Sequence, residues 1–349
     1  MQNIYDVAVI GAGISGLAAA NVFSREDLRV CVFEKSRGLG GRTSTRRWGS
    51  SESFTRADLG AQFTYARNPG WQDFVTSQEG MRRPASDTDL ERERFIHPEG
   101  MSRFAKSLFD FSPRPLEVRF ETRVIRVERL PDDGGAWLLS CETPSGTSIF
   151  SKARNLVIAL PLPQAIDLID QSREKSKSDS VTLAKLRNIP YSRCIAFVGI
   201  AKASENFHGP GILEVKCSTE NLGITGIFDQ NEKGLHSGKS TLVIHTTPEF
   251  SLANWEVQQE VLAEKIWANA CSLLRLIGKS PFRATPEVRV VHRWKFARPE
   301  RFYPDGFAKV DDLGHSIGVC GDAFAFGGMD GAFASGEALA RGFFRGVIV

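Results

Sequence analysis

The first 42 residues constrain this chain more than any other stretch. An apolar, β-branched run, Tyr5-Asp6-Val7-Ala8-Val9-Ile10, ends at Gly11-Ala12-Gly13-Ile14-Ser15-Gly16, and a second apolar run, Val30-Cys31-Val32-Phe33, delivers Glu34. Strand, glycine turn, helix and acidic residue in that order specify a mononucleotide-binding βαβ unit. Gly11 permits the tight turn, Gly13 lets the backbone approach a pyrophosphate, and Gly16 lets helix and strand pack closely. Ile14 and Ser15 open the helix, whose free N–H groups face the phosphate. Glu34 falls where a ribose hydroxyl would sit.

The residues after Glu34 choose between NAD and FAD. Lys35-Ser36-Arg37-Gly38-Leu39-Gly40-Gly41-Arg42 is a short, glycine-rich, basic loop. It is placed to run close over a bound cofactor, with Lys35, Gly41 and Arg42 near its phosphates. Towards the other end, Ser316-Ile317-Gly318-Val319-Cys320-Gly321-Asp322 reads as a buried strand ending in Gly-Asp, and Gly327-Gly328-Met329-Asp330-Gly331-Ala332 opens a helix. An extended FAD needs this second contact. Asp322 would meet the ribityl hydroxyls, and the helix start at Gly331 and Ala332 would face the far end. Val124, in the alternating run 116–130, and Pro161, closing the apolar run 155–161, complete the expected FAD contacts.

At 349 residues the chain exceeds the usual size of a single core, so two domains are expected. A net charge of +3 on 44 basic and 41 acidic residues offers no sign of a nucleic-acid binder. The six cysteines (Cys31, Cys141, Cys194, Cys217, Cys271, Cys320) lack CxxC spacing, and the six histidines lack metal-ligand spacing. Reduced, buried thiols and no metal are therefore expected. The first strand begins almost at once and no apolar run approaches membrane-spanning length, which predicts a cytoplasmic protein with no membrane partner. The predicted fold is α/β, a Rossmann-like FAD-binding domain with a smaller antiparallel-sheet substrate domain. The FAD-binding domain is discontinuous over 1–70, 97–170 and 288–349, and the substrate domain takes 71–96 and 171–287. Within that plan, 78–94 reads as an exposed charged excursion, 148–150 as the end of a meander, 155–161 as a separate buried strand, 173–179 as a charged boundary, 254–276 as one helix and 288–294 as the strand leading back to the cofactor domain.

Glycine elements at both ends, together with Asp58-Leu59-Gly60-Ala61-Gln62, Tyr191-Ser192-Arg193, Leu242-Val243-Ile244-His245-Thr246-Thr247 and His292-Arg293-Trp294, resemble the renalase family along nearly the whole chain. The resemblance implies a two-domain flavoprotein of the p-hydroxybenzoate hydroxylase and amine oxidase type with non-covalent FAD. Its implied activity is oxidation of the 2- and 6-dihydro isomers of NAD(P) to NAD(P)+, with O2 reduced to H2O2.

Such chemistry asks for a flat slot over the flavin more than for a catalytic base, because the cofactor accepts the hydride. Gly60, Ala61, Gln62 and Phe63 would border the slot, with Gln62 bonding an amide or a flavin edge. Trp294 would wall it, Lys295 would stabilise negative charge on reduced flavin, and His245 would either bond a carboxamide or serve as a core histidine. Arg193 and Arg293 are candidate phosphate contacts for the nucleotide substrate. An amine or another superfamily substrate, and a flavin-binding protein that turns nothing over, are the alternatives.

Overall fold

In the computed structural model, which describes residues 4–49, 54–86, 93–173, 178–202, 204–215, 222–235, 239–311, 313 and 316–343, β1 (Tyr5–Ile10), α1 (Ile14–Ser24) and β2 (Val30–Phe33) form the expected βαβ unit. The strands pair in parallel with Val7 opposite Val30. Alternate residues of β1 feed opposite cores: Val7 and Val9 pack with Leu17, Phe23 and Phe104, whereas Ala8 and Ile10 pack with Leu139, Ile166 and Val319. Parts of the 78–94 and 173–179 stretches (87–92 and 174–177), with Cys217, His236 and His315, lie outside the described residues.

A hairpin of β3 (Thr45–Gly49) and β4 (Phe54–Asp58) leads through α2 (Pro69–Thr76) and α3 (Ser102–Asp110) to β5 (Glu117–Arg119), β6 (Arg123–Leu130), β7 (Ala136–Glu142) and β8 (Ser148–Ile158). The expected run 116–130 breaks at Glu121, which takes φ 49°. There the N–H groups of Glu121 and Thr122 turn to the carbonyls of Ser36 and Glu34. The two runs expected at 148–150 and 155–161 are instead one strand. The first half of β8 pairs antiparallel with β7, and from Ala153 it pairs parallel with β1. Its burial follows this division, half-exposed at first and fully buried at Leu156, Val157 and Ile158.

After α4 (Leu162–Ser172) and α5 (Val181–Arg187), the second lobe is built from β9 (Tyr191–Ile200), β10 (Ile212–Glu214), β11 (Ile224–Asp229), β12 (Thr241–Thr246), α6 (Pro248–Ala253), α7 (Gln259–Leu276) and β13 (Val288–Pro299). β14 (Ala308–Val310), β15 (Ile317–Val319) and α8 (Gly328–Phe343) then complete the first. The first sheet runs β14-β15-β8-β1-β2-β5, and the second, antiparallel, β10-β11-β12-β9-β13. No described helix is long and apolar enough to cross a membrane.

Three segments fall differently from the expected boundaries. β13 was expected to lead back into the cofactor domain, yet it pairs with β9 from Val288 to Pro299 and is an edge of the second sheet. Trp71 of α2 and Leu183 and Leu186 of α5 are buried in the cores of the first lobe, because each short helix presents large apolar side chains to it. The helix expected over 254–276 begins later, as α7 at Gln259, and is preceded by the separate short helix α6. Thr247 caps α6, accepting the Phe250 N–H, with Pro248 at its first position, and the chain turns at Trp255–Val257 before α7.

Strand parity divides the second sheet between two neighbours. Ile195, Phe197, Ile244 and Val291 face α7, whereas Val198, Ile200, Val243 and Phe228 face Ala57, Leu59 and Ile96 of the first lobe. The second group is the joint between the lobes, and half-buried Trp48, Phe63, Val290 and Trp294 extend it.

Candidate active site

Local geometry at the first glycine turn matches a pyrophosphate cradle. Gly13 is the N-cap of α1, with no side chain capping that helix and no acidic residue in its first turn. A Cβ built on Gly13 meets nothing within 4 Å. Free N–H groups therefore open onto empty space, as an anion requires. Gly16 serves packing instead, because a Cβ there would overlap the Gly11 carbonyl oxygen and come 3.1 Å from the Ala159 Cβ. Ile14 and Ser15 are buried beneath the turn. Glu34, also buried, accepts the Ala12 N–H at 2.9 Å and the Ser36 N–H at 2.8 Å, one on each oxygen. Each oxygen keeps lone-pair capacity for a hydroxyl.

The basic loop closes over the turn. Gly40 bridges to Gly13, and a Cβ on Gly41 would lie 3.9 Å from the Gly13 Cα. Lys35 is exposed. Arg42 does not reach towards the turn but across the molecule, donating to both oxygens of Asp322 at 2.7 Å, while Tyr191 donates to the same carboxylate at 3.0 Å. Arg42 also donates to the Ala297 carbonyl at 3.2 Å, beside the register shift of β13. Burial and the Asp322 charge together push the Tyr191 pKa up, so it stays a neutral donor. Val124 is nearly buried in the first lobe, Pro161 caps α4 beside Leu160, and Leu160 lies under the Gly11 turn. At the start of α8, Asp330, with its side chain 1 % exposed, takes Arg67 at 2.7 and 2.9 Å, next to Gly331 and Ala332.

The segment 58–62 lies between the two lobes. A Cβ on Gly60 would overlap the Arg42 carbonyl oxygen, which also accepts the Ala61 N–H at 3.0 Å, so close approach of two backbones requires glycine there. Opposite, the Leu59 carbonyl accepts His245 Nε2–H and Trp294 Nε1–H, each at 3.0 Å. His292 packs edge-on against Trp294 with centroids 4.4 Å apart, and Arg94 lies 5.3 Å over the Phe63 ring. Gly60, Ala61, Gln62, Phe63, His245 and Trp294 are thus brought together, 186 residues separating Leu59 from His245.

Gln62 stands differently from its expected role. It is 4 % exposed, and its amide is used up inside the protein. Its Nε2 donates to the Asp58 and Gly60 carbonyls, and its Oε1 accepts from Gln230 at 3.1 Å and from Lys233 at 3.3 Å. Parity separates three more residues from the slot. Lys295 is exposed and lies 5.3 Å from the Phe296 ring, because neighbouring Trp294 takes the inward position. Arg293 shares the face of Val291 and donates to the Trp255 and Val257 carbonyls at the turn between α6 and α7. Arg193 shares the face of Ile195 and stacks 4.6 Å over Trp255. The cation that does lie beside the segment is Lys233, fully buried and paired with Asp58. A lysine within Asn231-Glu232-Lys233-Gly234 reads as an ordinary surface turn, so the sequence carries no signal for it.

Burial pushes the His245 pKa down to about 4 from the ordinary 6.5, the Lys233 and Arg298 charges acting in the same direction against the Leu59 hydrogen bond. His245 is therefore neutral at pH 7. A carbonyl only accepts, so Nε2 carries the proton and Nδ1 is left as an acceptor. The unfolded chain takes up this proton first as pH falls. The stability contribution is complete above pH 6.5 and is lost towards pH 4, at most about 2 kcal/mol by pH 5. Denaturant unfolding at pH 8, 6.5 and 5 should show this fall, and His245→Gln should flatten it.

Comparison with known proteins agrees with this geometry. The model of an NAD(P)-binding Rossmann-like domain matches residues 9–77, and that of a flavin containing amine oxidoreductase matches residues 71–342. Among solved structures, the fold is similar to that of a protein from Exiguobacterium sp. 255-15 provisionally assigned as a protoporphyrinogen oxidase, with TM-score 0.62 and 13 % identity over 98 % of this chain and 99 % of that one. It is also similar to that of a triple mutant of putrescine oxidase with redesigned cofactor binding, with TM-score 0.58 and 16 % identity over 98 % of this chain and 99 % of that one.

Proposed function

Because the chain belongs to the flavin containing amine oxidoreductase family, and so is an FAD-dependent oxidoreductase, we propose that it acts as renalases do, oxidising the 2- or 6-dihydro isomers of NAD(P) to NAD(P)+. Held in the cradle, FAD would supply the hydride acceptor, and O2 would be the oxidant that returns it to the oxidised state, giving H2O2. Gly13, Gly41 and the start of α1 would hold its pyrophosphate, Glu34 its ribose, Asp322 the ribityl chain, and Gly331 and Ala332 its far end.

The observation that carries this reading is the 3.0 Å contact between His245 and Leu59. It joins Val-Ile-His-Thr-Thr to Asp-Leu-Gly-Ala-Gln, the two segments that most specifically resemble renalases, at the edge of the slot. Trp294 supplies a wall for a flat ring, and neutral His245 supplies an acceptor at Nδ1 for a carboxamide N–H. The charge around the slot points the same way. The Asp58 carboxylate is taken by Lys233, and the charged groups felt by the two imidazoles are all cations: Arg46 at His292, after burial, and Lys233 and Arg298 at His245. A positive rim favours an anionic dinucleotide over a protonated amine.

Arg46 replaces Arg193 and Arg293 as the phosphate contact in this reading. It shares the face of Trp48, which like Val290 and Trp294 packs against the joint between the lobes, and its guanidinium lies 5.6 Å over the Trp48 ring. Arg46→Gln should raise the half-saturating dinucleotide concentration about tenfold, or about 1.4 kcal/mol, and leave the limiting rate unchanged. The proposal itself is tested by mixing the holoprotein anaerobically with 2-dihydro-NAD(P), 6-dihydro-NAD(P), NADPH and common amines while following flavin absorbance. Fast bleaching by the isomers supports it. Bleaching by an amine and not by the isomers overturns it.

A further inference from the structure

Asp58 and Lys233 are 175 residues apart in sequence, and both side chains are fully enclosed where the lobes meet. Desolvation offsets most of the attraction in such a pair, so apolar side chains of similar size would hold the lobes together as well. Orientation is what the ions add. Asp58 Oδ2 takes Lys233, and Oδ1 takes the Thr45 hydroxyl at 2.5 Å and the Met101 N–H at 2.9 Å. The Asp58 N–H donates to Gln230 Oε1 at 3.0 Å.

The same cation sets the Gln62 amide. An ammonium can only donate, so Gln62 must present Oε1 to Lys233, which leaves Nε2 for the Asp58 and Gly60 carbonyls. The opposite flip would set N–H groups against N–H groups at Lys233 and at Gln230. Between Asp58 and Gln62 lie only Leu59, Gly60 and Ala61, the backbone at the edge of the slot.

We propose that Lys233 is a positioning residue: by fixing the Asp58 carboxylate and the amide orientation of Gln62 from the second lobe, it holds the Gly60–Ala61 backbone in the geometry that seats the flavin and its hydride donor. The inference rests on the slot being the place of reaction. Hydride transfer requires reacting atoms roughly 3–3.5 Å apart, and a displacement of about 1 Å can cost about 100-fold in rate.

The test uses the FAD-loaded protein and two variants, Lys233→Met and the double variant Asp58→Asn with Lys233→Met. Three quantities are measured: the FAD dissociation constant, the visible circular dichroism of the bound flavin, and the anaerobic reduction rate against dihydronicotinamide concentration. Lys233→Met should bind FAD within about threefold of the parent, change the flavin dichroism, and lower the limiting reduction rate about 100-fold with half-saturation moved less than threefold. The double variant leaves no uncompensated buried charge, so it should regain the parent melting temperature without regaining the dichroism or the rate. Parent-like dichroism and reduction rate in either variant overturn the proposal. Should Lys233→Met alone fail to fold, the double variant decides. If no dihydronicotinamide reduces the parent, the functional reading fails by itself, while the dichroism, which needs no substrate, still decides on Lys233.

Discussion

Gly13→Val should yield a folded but colourless protein. The residue sits at φ −76° and ψ 178°, a conformation that valine adopts without strain, and its missing side chain faces open space. The stability of the FAD-free chain should therefore change by less than about 1 kcal/mol, since only a half-buried N-cap glycine with open space beside it is lost. The same valine fills the gap through which a pyrophosphate meets the helix N-terminus. FAD affinity should fall at least 100-fold, equivalent to about 2.7 kcal/mol or more. Denaturant unfolding of both FAD-free chains, followed by titration with FAD, separates the two effects. Gly16→Val, three residues along, should do the reverse and damage the fold itself, because its Cβ overlaps the Gly11 carbonyl. A Gly13→Val chain that purifies yellow at full occupancy would remove the cradle from the account.

The second large effect is expected at Asp322. Its carboxylate takes two bonds from Arg42 at 2.7 Å and one from Tyr191 at 3.0 Å, and its side chain is 12 % exposed against 27 % for Arg42. Asp322→Ala leaves a guanidinium with no carboxylate, facing the carbonyls of Phe296 and Ala297 and the Tyr191 side chain. Removing one partner of a buried pair costs about 3–5 kcal/mol, and the partial exposure of Arg42 reduces this to about 2–4 kcal/mol. FAD should be lost as well, since this carboxylate ties the basic loop to the segment between β15 and α8. Asp322→Asn keeps two polar atoms in place and should recover part of the stability. Melting temperatures and the ratio of flavin to protein absorbance check both variants, and an Asp322→Ala chain as stable as its parent would refute the assignment.

How much was legible in the sequence depends on how far apart the cooperating residues lie. The βαβ unit and its glycine turn are local, so spacing alone placed β1, α1, β2 and Glu34. Asp58-Leu59-Gly60-Ala61-Gln62 could be singled out, but the use of each side chain could not. Whether Gln62 looks out or in is settled by Gln230 and Lys233, from a turn with no periodic pattern. Arg193, Arg293 and Lys295 show the same limit in a sheet. In an alternating strand, a one-residue difference puts a side chain on the opposite face, and only the pairing of β9 with β13 tells which face meets the cofactor lobe. β8 was split because its two halves carry different patterns, alternating against β7 and continuously apolar beside β1. A single strand can carry both when its neighbours change along its length.

The Arg42 to Asp322 bond also bears on when the protein becomes competent. Its two ends are 280 residues apart. During synthesis at about 5–20 residues per second, the opening loop must wait on the order of 15–60 s for its counter-ion to leave the ribosome. A nascent chain halted before residue 322 therefore carries a nearly complete phosphate cradle whose arginine has no carboxylate to meet. If FAD uptake depends on this bond, it follows the docking of the last segment, and pigmentation would report that docking.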